Sequence, residues 1–241
     1  MVLTKDGLYE LNVMLGDSKA EEYKPVPAAP SADAFVEANL FVKGVSYQKE
    51  TEETDPFGEA FTQSWPVTPY KLRVVNNTDE TRWVKLYVDG EEAFGTNVGP
   101  RAAKVLDGKQ SVPGQNCSAV HELLFARPRL VRRNESVDGV DPAKILELQS
   151  IRLDIHSCTF LGESRGTKRG ATGGFDGTNK AVCKKAKAGA MTRTGNELAP
   201  AANAGHKKWN YNISEKVASL RIRYAQRDKL GQYGVIAVEE E

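Results

Sequence analysis

Four residues have the types and spacing of a zinc centre: Cys117 and His121, with three residues between them, and His156 and Cys158, with one. Thiolate and neutral imidazole are preferred zinc ligands, and residues i and i+2 of a strand face the same way, so the second pair could offer two donors to one ion. Structural zinc sites usually repeat a tight knuckle, however, and neither pair forms one. An unpaired cysteine is also among the residue types most often buried. The expectation is therefore buried thiols, with no metal and no other cofactor.

Asp154, His156 and Cys158 also suggest an acid, a base and a nucleophile. Neighbours two apart on one strand stand parallel, whereas a relay needs them in line, so the other members would have to come from other elements. The chain has no G-x-S-x-G elbow, phosphate-binding loop, dinucleotide fingerprint or H-E-x-x-H helix. The paired carboxylates of a glycosidase cannot be singled out among 32 acidic residues. No catalytic residue is assigned, and the expectation is a protein that is not an enzyme.

The third pattern is a basic run. Between Gly162 and Gly195 stand eight cations, Arg165, Lys168, Arg169, Lys180, Lys184, Lys185, Lys187 and Arg193, against two acids. Clustered Lys and Arg displace counterions from phosphate backbones without reading sequence, so this stretch, with Lys207, Lys208 and Trp209 beyond it, is a candidate polyanion or nucleic-acid contact. Only Phe175 lies inside it to stack on a base, which argues against single-strand readout. The plainer reading is a solvated loop insertion, residues 162–195, too poor in apolar residues to be buried.

The elements that must position these residues are strands. In Tyr70 to Gly90, Tyr70, Leu72 and Val74 alternate with Lys71 and Arg73. After a polar turn at Asn76 to Thr81, Trp83, Lys85 and Tyr87 alternate with Val84, Leu86 and Val88. Asp89-Gly90 then offers the positive-φ pair of a tight hairpin, returning the chain as a third strand of a meander. Period two recurs at Leu8 to Leu15, at Ile151 to Ile155, at Val217 to Tyr224 and at Gly231 to Val238. His121 to Val131 resumes strand character, and Ala34 to Gln48 reads as two short strands around Gly44 or as a short helix capped by Asp33 followed by a strand, with strand favoured. Residues 17–33 form a Pro-rich connector, Glu50 to Asp55 an acidic turn, Gly99 to Gln115 a Gly- and Lys-rich loop, and Asp141-Pro142 the start of a helical turn. Trp65 is expected to plug one end of the core.

Eight or nine strands without βα alternation predict one all-β domain over residues 1–241, an antiparallel β-sandwich of jelly-roll type with long loops and little helix. The 241 residues can bury a sizeable core, and a net charge of +1 gives the molecule no long-range field. Charge and glycine appear within seven residues of Met1, so neither a signal peptide nor a membrane span is expected, and an intracellular site follows. Three cysteines fit a reducing compartment. The four N-x-S/T triplets, at Asn76, Asn116, Asn134 and Asn212, then read as loop composition.

The segments YKLRVVNNTDETRWVKLYVDGEE, HELLFARPRL followed by ELQSIRLDIHSC, and VASLRIRYAQR together resemble an uncharacterised domain family frequent in fungi and present in other lower eukaryotes. Its members share a strand, turn, strand and V-D-G core, then an F-x-F-like strand and an I-x-V strand. The F-x-F position here reads Leu123, Leu124, Phe125. The resemblance implies a β-sandwich and carries over no activity and no catalytic residue. The function expected is that of a structural or interaction subunit of a larger protein assembly, with a virus capsid as one setting. Polyanion binding through residues 165–193 and carbohydrate binding through exposed aromatics are the alternatives.

Overall fold

The computed structural model describes residues 2–24, 34–38, 46–54, 60–110, 119–126, 147–165, 191–198 and 207–232. The strands are β1 (Val2–Leu3), β2 (Tyr9–Leu15), β3 (Ser18–Lys19), β4 (Glu22–Tyr23), β5 (Ala34–Glu37), β6 (Ser46–Thr54), β7 (Ala60–Asn76) and β8 (Arg82–Val88). They continue with β9 (Glu91–Val98), β10 (Ala102–Leu106), β11 (Gly108–Gln110), β12 (Val120–Ala126), β13 (Ser150–Arg165), β14 (Met191–Leu198) and β15 (Lys207–Ala225), before helix α1 (Arg227–Gln232).

Two sheets face each other. One runs β1-β2-β7-β12-β11, with β3 on β2, β6 and β10 on β7, and β14 on β12; the other runs β4-β5-β15-β13-β8-β9. All pairings are antiparallel except β5 with β15. The fold is all-β and sandwich-like, as the period-two patterning predicts. Leu11, Tyr70, Leu72 and Phe125 from the first sheet meet Leu86, Ile151, Leu153, Ile155, Ile222 and Tyr224 from the second in one buried core. Each such side chain contributes about 1.5–3 kcal/mol by leaving water. Along one side Gln110 of β11 reaches β9, its Oε1 accepting from the Gly95 amide at 3.0 Å.

The meander is half correct. Asp89 and Gly90 do make the β8–β9 hairpin, with φ of 51° and 82°. The turn before it, however, does not pair β7 with β8: it carries the chain from one sheet to the other, because both strands bury their apolar faces against each other across the core. Alternation gives a strand its faces but not its sheet. Asn76 braces this corner. Its Nδ2 donates to the carbonyls of Glu80 at 2.8 Å and Gly99 at 2.9 Å, while its Oδ1 accepts from the amide and hydroxyl of Thr78 at 3.1 and 2.7 Å. With 1 % exposure, that amide cannot carry a glycan.

Other expectations are corrected at their edges. The connector at 17–33 contains β3 and β4, Glu50 to Thr54 continues β6 instead of turning, and β10 and β11 lie in the stretch read as a Gly/Lys-rich loop. Neighbouring strands supply the backbone partners that composition alone does not announce. Both ends of the 162–195 insertion are strand, in β13 and β14, and Gly231 and Gln232 close α1 instead of opening a strand. The side chain of Trp65 and the stretch from Asp141 lie outside the described residues.

Two strand pairs run on beyond their sheets. β13 pairs with β8 only as far as Ser157 opposite Arg82, yet its pairing with β15 continues to Arg165 opposite Lys207. β7 likewise pairs with β12 from Val67 to Tyr70 and with β6 from Ala60 to Pro66. Each extension is a two-stranded ribbon among the described strands.

Candidate functional site

β13 positions three of the residues singled out for chemistry. Ile151, Leu153 and Ile155 face the core, which turns Arg152, Asp154 and His156 to the outer face. The register against β15 shifts on both sides of His156, with the extra residues on β15, and His156 and Cys158 have separate partners. His156 Nδ1 lies 3.3 Å from the Ser214 carbonyl, and the Cys158 thiol donates to the Thr81 carbonyl at 3.6 Å. Asp154 accepts from the Ser219 hydroxyl at 2.7 Å and sits 3.5 Å from Arg152 Nε and 3.8 Å from Lys216 Nζ. The three make no relay with one another.

His121 stands on β12, opposite Lys109 of β11, in the other sheet. Cys117 lies outside the described residues, and among those described no group of three His, Cys, Asp or Glu is placed to hold a metal. Of the basic run, Arg165 ends β13 opposite Lys207, and Arg193 pairs with Leu124 in the first sheet. Lys168, Arg169, Lys180, Lys184, Lys185 and Lys187 lie outside the described residues.

At the start of β8, where β13 runs on past it, a cavity of about 710 Å³ opens to solvent, lined by Glu80, Thr81 and Arg82 on one side and Ser157 to Phe160, Tyr211 and Ser214 on the other. Arg82 is largely buried, its side chain 14 % exposed, and is bonded twice: Nε donates to the Tyr9 hydroxyl at 2.7 Å and the guanidinium pairs with Glu80. Burial opposes its charge, but those two partners outweigh it and raise its pKa. The Tyr211 ring lies 5.4 Å from Phe160 and 5.6 Å from Trp83, with the Asn97 side chain near its hydroxyl. Burial pushes the Cys158 thiol up, with Arg82 opposing. Chemically the cavity offers a fixed cation, a carboxylate, several hydroxyls and two rings, without a paired nucleophile and base.

A second polar cluster is sealed inside the sandwich. The Asp89 carboxylate accepts from the Tyr224 hydroxyl at 2.7 and 2.8 Å, from the Gln149 amide at 2.8 Å and from the Thr192 amide at 3.1 Å. The Thr192 hydroxyl bridges the hydroxyls of Tyr224 and Tyr70, at 3.1 and 2.8 Å. Desolvation raises the carboxyl to about 6 against the lowering effect of the Tyr224 and amide bonds, and it drives both buried phenols well above their ordinary range. This cluster ties β7, β14 and β15 to the β8–β9 turn, a structural role.

Neither cluster follows from sequence spacing. Asp89 reads as a turn residue, and only its being Asp where Asn would serve the turn equally well hints at a carboxylate with a task. The cavity's signal was Phe160 and Tyr211 standing opposite one another, which requires the β13–β15 register.

Comparison with models of protein families, with curated proteins and with solved structures gives no match of any of the three kinds.

Proposed function

We propose that the protein is a non-enzymatic β-sandwich subunit that works inside the cell by contacts with other protein subunits. The observation that carries this reading is the β13–β15 ribbon, which leaves its sheet with apolar side chains open to solvent. Phe160 is 53 % exposed, Leu161 67 % and Ile213 on the facing strand 37 %, and Val217, at the bulge of β15 just before the ribbon begins, is 42 % exposed. Exposed apolar residues on a strand edge invite association, and natural sheets normally blunt such edges with charge. A particle shell, including a capsid, is one setting in which β-sandwich subunits work by such contacts.

The test is the native mass of the purified protein by light scattering at low and high salt. A stable oligomer, or a co-purifying subunit at high salt, supports the proposal, and Leu161→Asp should then lower the mass. A monomer under both conditions that shifts only when nucleic acid is added at low salt overturns it in favour of a polyanion binder.

A further inference from the structure

We infer that the cavity between the start of β8 and the β13–β15 ribbon is a binding site for a neutral saccharide. Its size falls within the range of small-ligand pockets, roughly 300–1,000 Å³, at about 710 Å³. Its chemistry is mixed in a way that few ligand classes satisfy. The ring of Phe160 is half exposed at the rim beside the tilted ring of Tyr211. Such faces suit the C–H surface of a pyranose, which is apolar and slightly positive, against the negative face of an aromatic ring.

Around the rings stand an acceptor, Glu80, a donor, Arg82, and the hydroxyls of Ser157, Thr159 and Ser214. Sugar hydroxyls donate and accept at once, so they can use all of these groups. An anion would meet the Glu80 carboxylate beside the guanidinium it pairs with. A purely apolar ligand would strip water from the hydroxyls and from that ion pair without replacing their bonds.

The site is also organised in advance. Arg82 is anchored by Tyr9 and Glu80, and Tyr211 by Trp83, with Asn97 near its hydroxyl, so little side-chain freedom is lost on binding. The open mouth limits buried area, so affinities from about 10 µM to the millimolar range are expected. The site shares Phe160 with the exposed ribbon, and Leu161→Asp separates the two readings: Leu161 does not line the cavity, so that change should lower the native mass of an assembly and leave glycan binding in place.

The test is an array of neutral and anionic glycans probed with the full chain, followed by calorimetric titration of the best neutral oligosaccharide and of methyl glucoside, methyl mannoside and methyl galactoside. Binding to a neutral glycan is expected, weakened about tenfold or more by Phe160→Ala and restored by Phe160→Trp. Leu3→Ala, an exposed apolar change on β1, should leave it unchanged. Phe160 is exposed, so circular dichroism and the melting temperature should show Phe160→Ala folded. Three outcomes overturn the inference: no neutral glycan or glycoside binding, binding to anionic glycans alone, or neutral binding that Phe160→Ala does not weaken.

Discussion

The hydroxyl of Tyr224 lies 2.7 and 2.8 Å from the two carboxylate oxygens of Asp89, which joins β15 to the β8–β9 turn in the closed interior of the sandwich. Asp89 is raised by burial to about 6 from an ordinary 3.8. Between those values the folded protein holds a proton that the unfolded chain has released. The group's contribution to stability is therefore complete below about pH 4 and is lost as pH rises through about 6. Two units correspond to about 3 kcal/mol. The chain of hydroxyls through Tyr224, Thr192 and Tyr70 can reverse its donors to accept the added proton. Urea unfolding of wild type and Asp89→Asn at pH 4 and pH 7 should show the wild type's advantage narrowing by that order at the higher pH. A constant difference would mean that Asp89 titrates normally.

The Tyr70 and Phe125 rings stack with centroids 4.0 Å apart, and Phe125 also meets Tyr224 at 4.9 Å. Phe125 is fully buried, so Phe125→Ala removes two ring contacts and leaves a cavity at the centre of the cluster. A loss of about 3–5 kcal/mol is expected by urea denaturation. Phe125→Leu should cost markedly less, since most of the volume is kept.

These two clusters show where sequence reasoning reaches and where it stops. The core faces of β2, β7, β8, β13 and β15 are legible because Leu11, Leu72, Leu86, Leu153 and Ile222 alternate with polar neighbours, and burial then fixes the face. Sheet membership is not legible: nothing local to residues 77–81 distinguishes a hairpin from a crossing between sheets, and Asn76 settles it through carbonyls over twenty residues away. The short β3, β4, β10 and β11 escape notice because their strand character comes from partners on β2, β5, β7 and β12. The cavity needs the bulged register of β13 against β15, which periodicity does not encode.

Gly108 is a position where backbone approach excludes any side chain. A Cβ there would lie 2.0 Å from the His121 carbonyl oxygen and 3.0 Å from Val120 Cγ1, so β11 could not keep its pairing with β12. Gly108→Ala should lower stability by about 1–3 kcal/mol or more and loosen the Gln110 contact to β9. Gly16 is the control: its φ of +62° strains any side chain, but nothing lies within 4 Å. Gly16→Ala should cost only about 1 kcal/mol. Thermal unfolding of the two variants should separate steric exclusion from conformational strain, and equal shifts would contradict the close approach at Gly108.

Cys158 lies half-buried in the cavity wall with its thiol donating to the Thr81 carbonyl. Burial raises its pKa and Arg82 only partly offsets this, so less thiolate is present at neutral pH than in an unfolded peptide. Alkylation by iodoacetamide, followed by peptide mass mapping so that Cys117 and Cys183 are scored apart, should be several-fold slower at Cys158 in the native protein than in urea. A saccharide seated in the cavity should slow it further by covering the thiol, whereas ligand bound elsewhere would leave the rate unchanged. A native rate equal to that in urea would show that the sulfur is neither desolvated nor held by Thr81, and that the cavity wall differs from the one described.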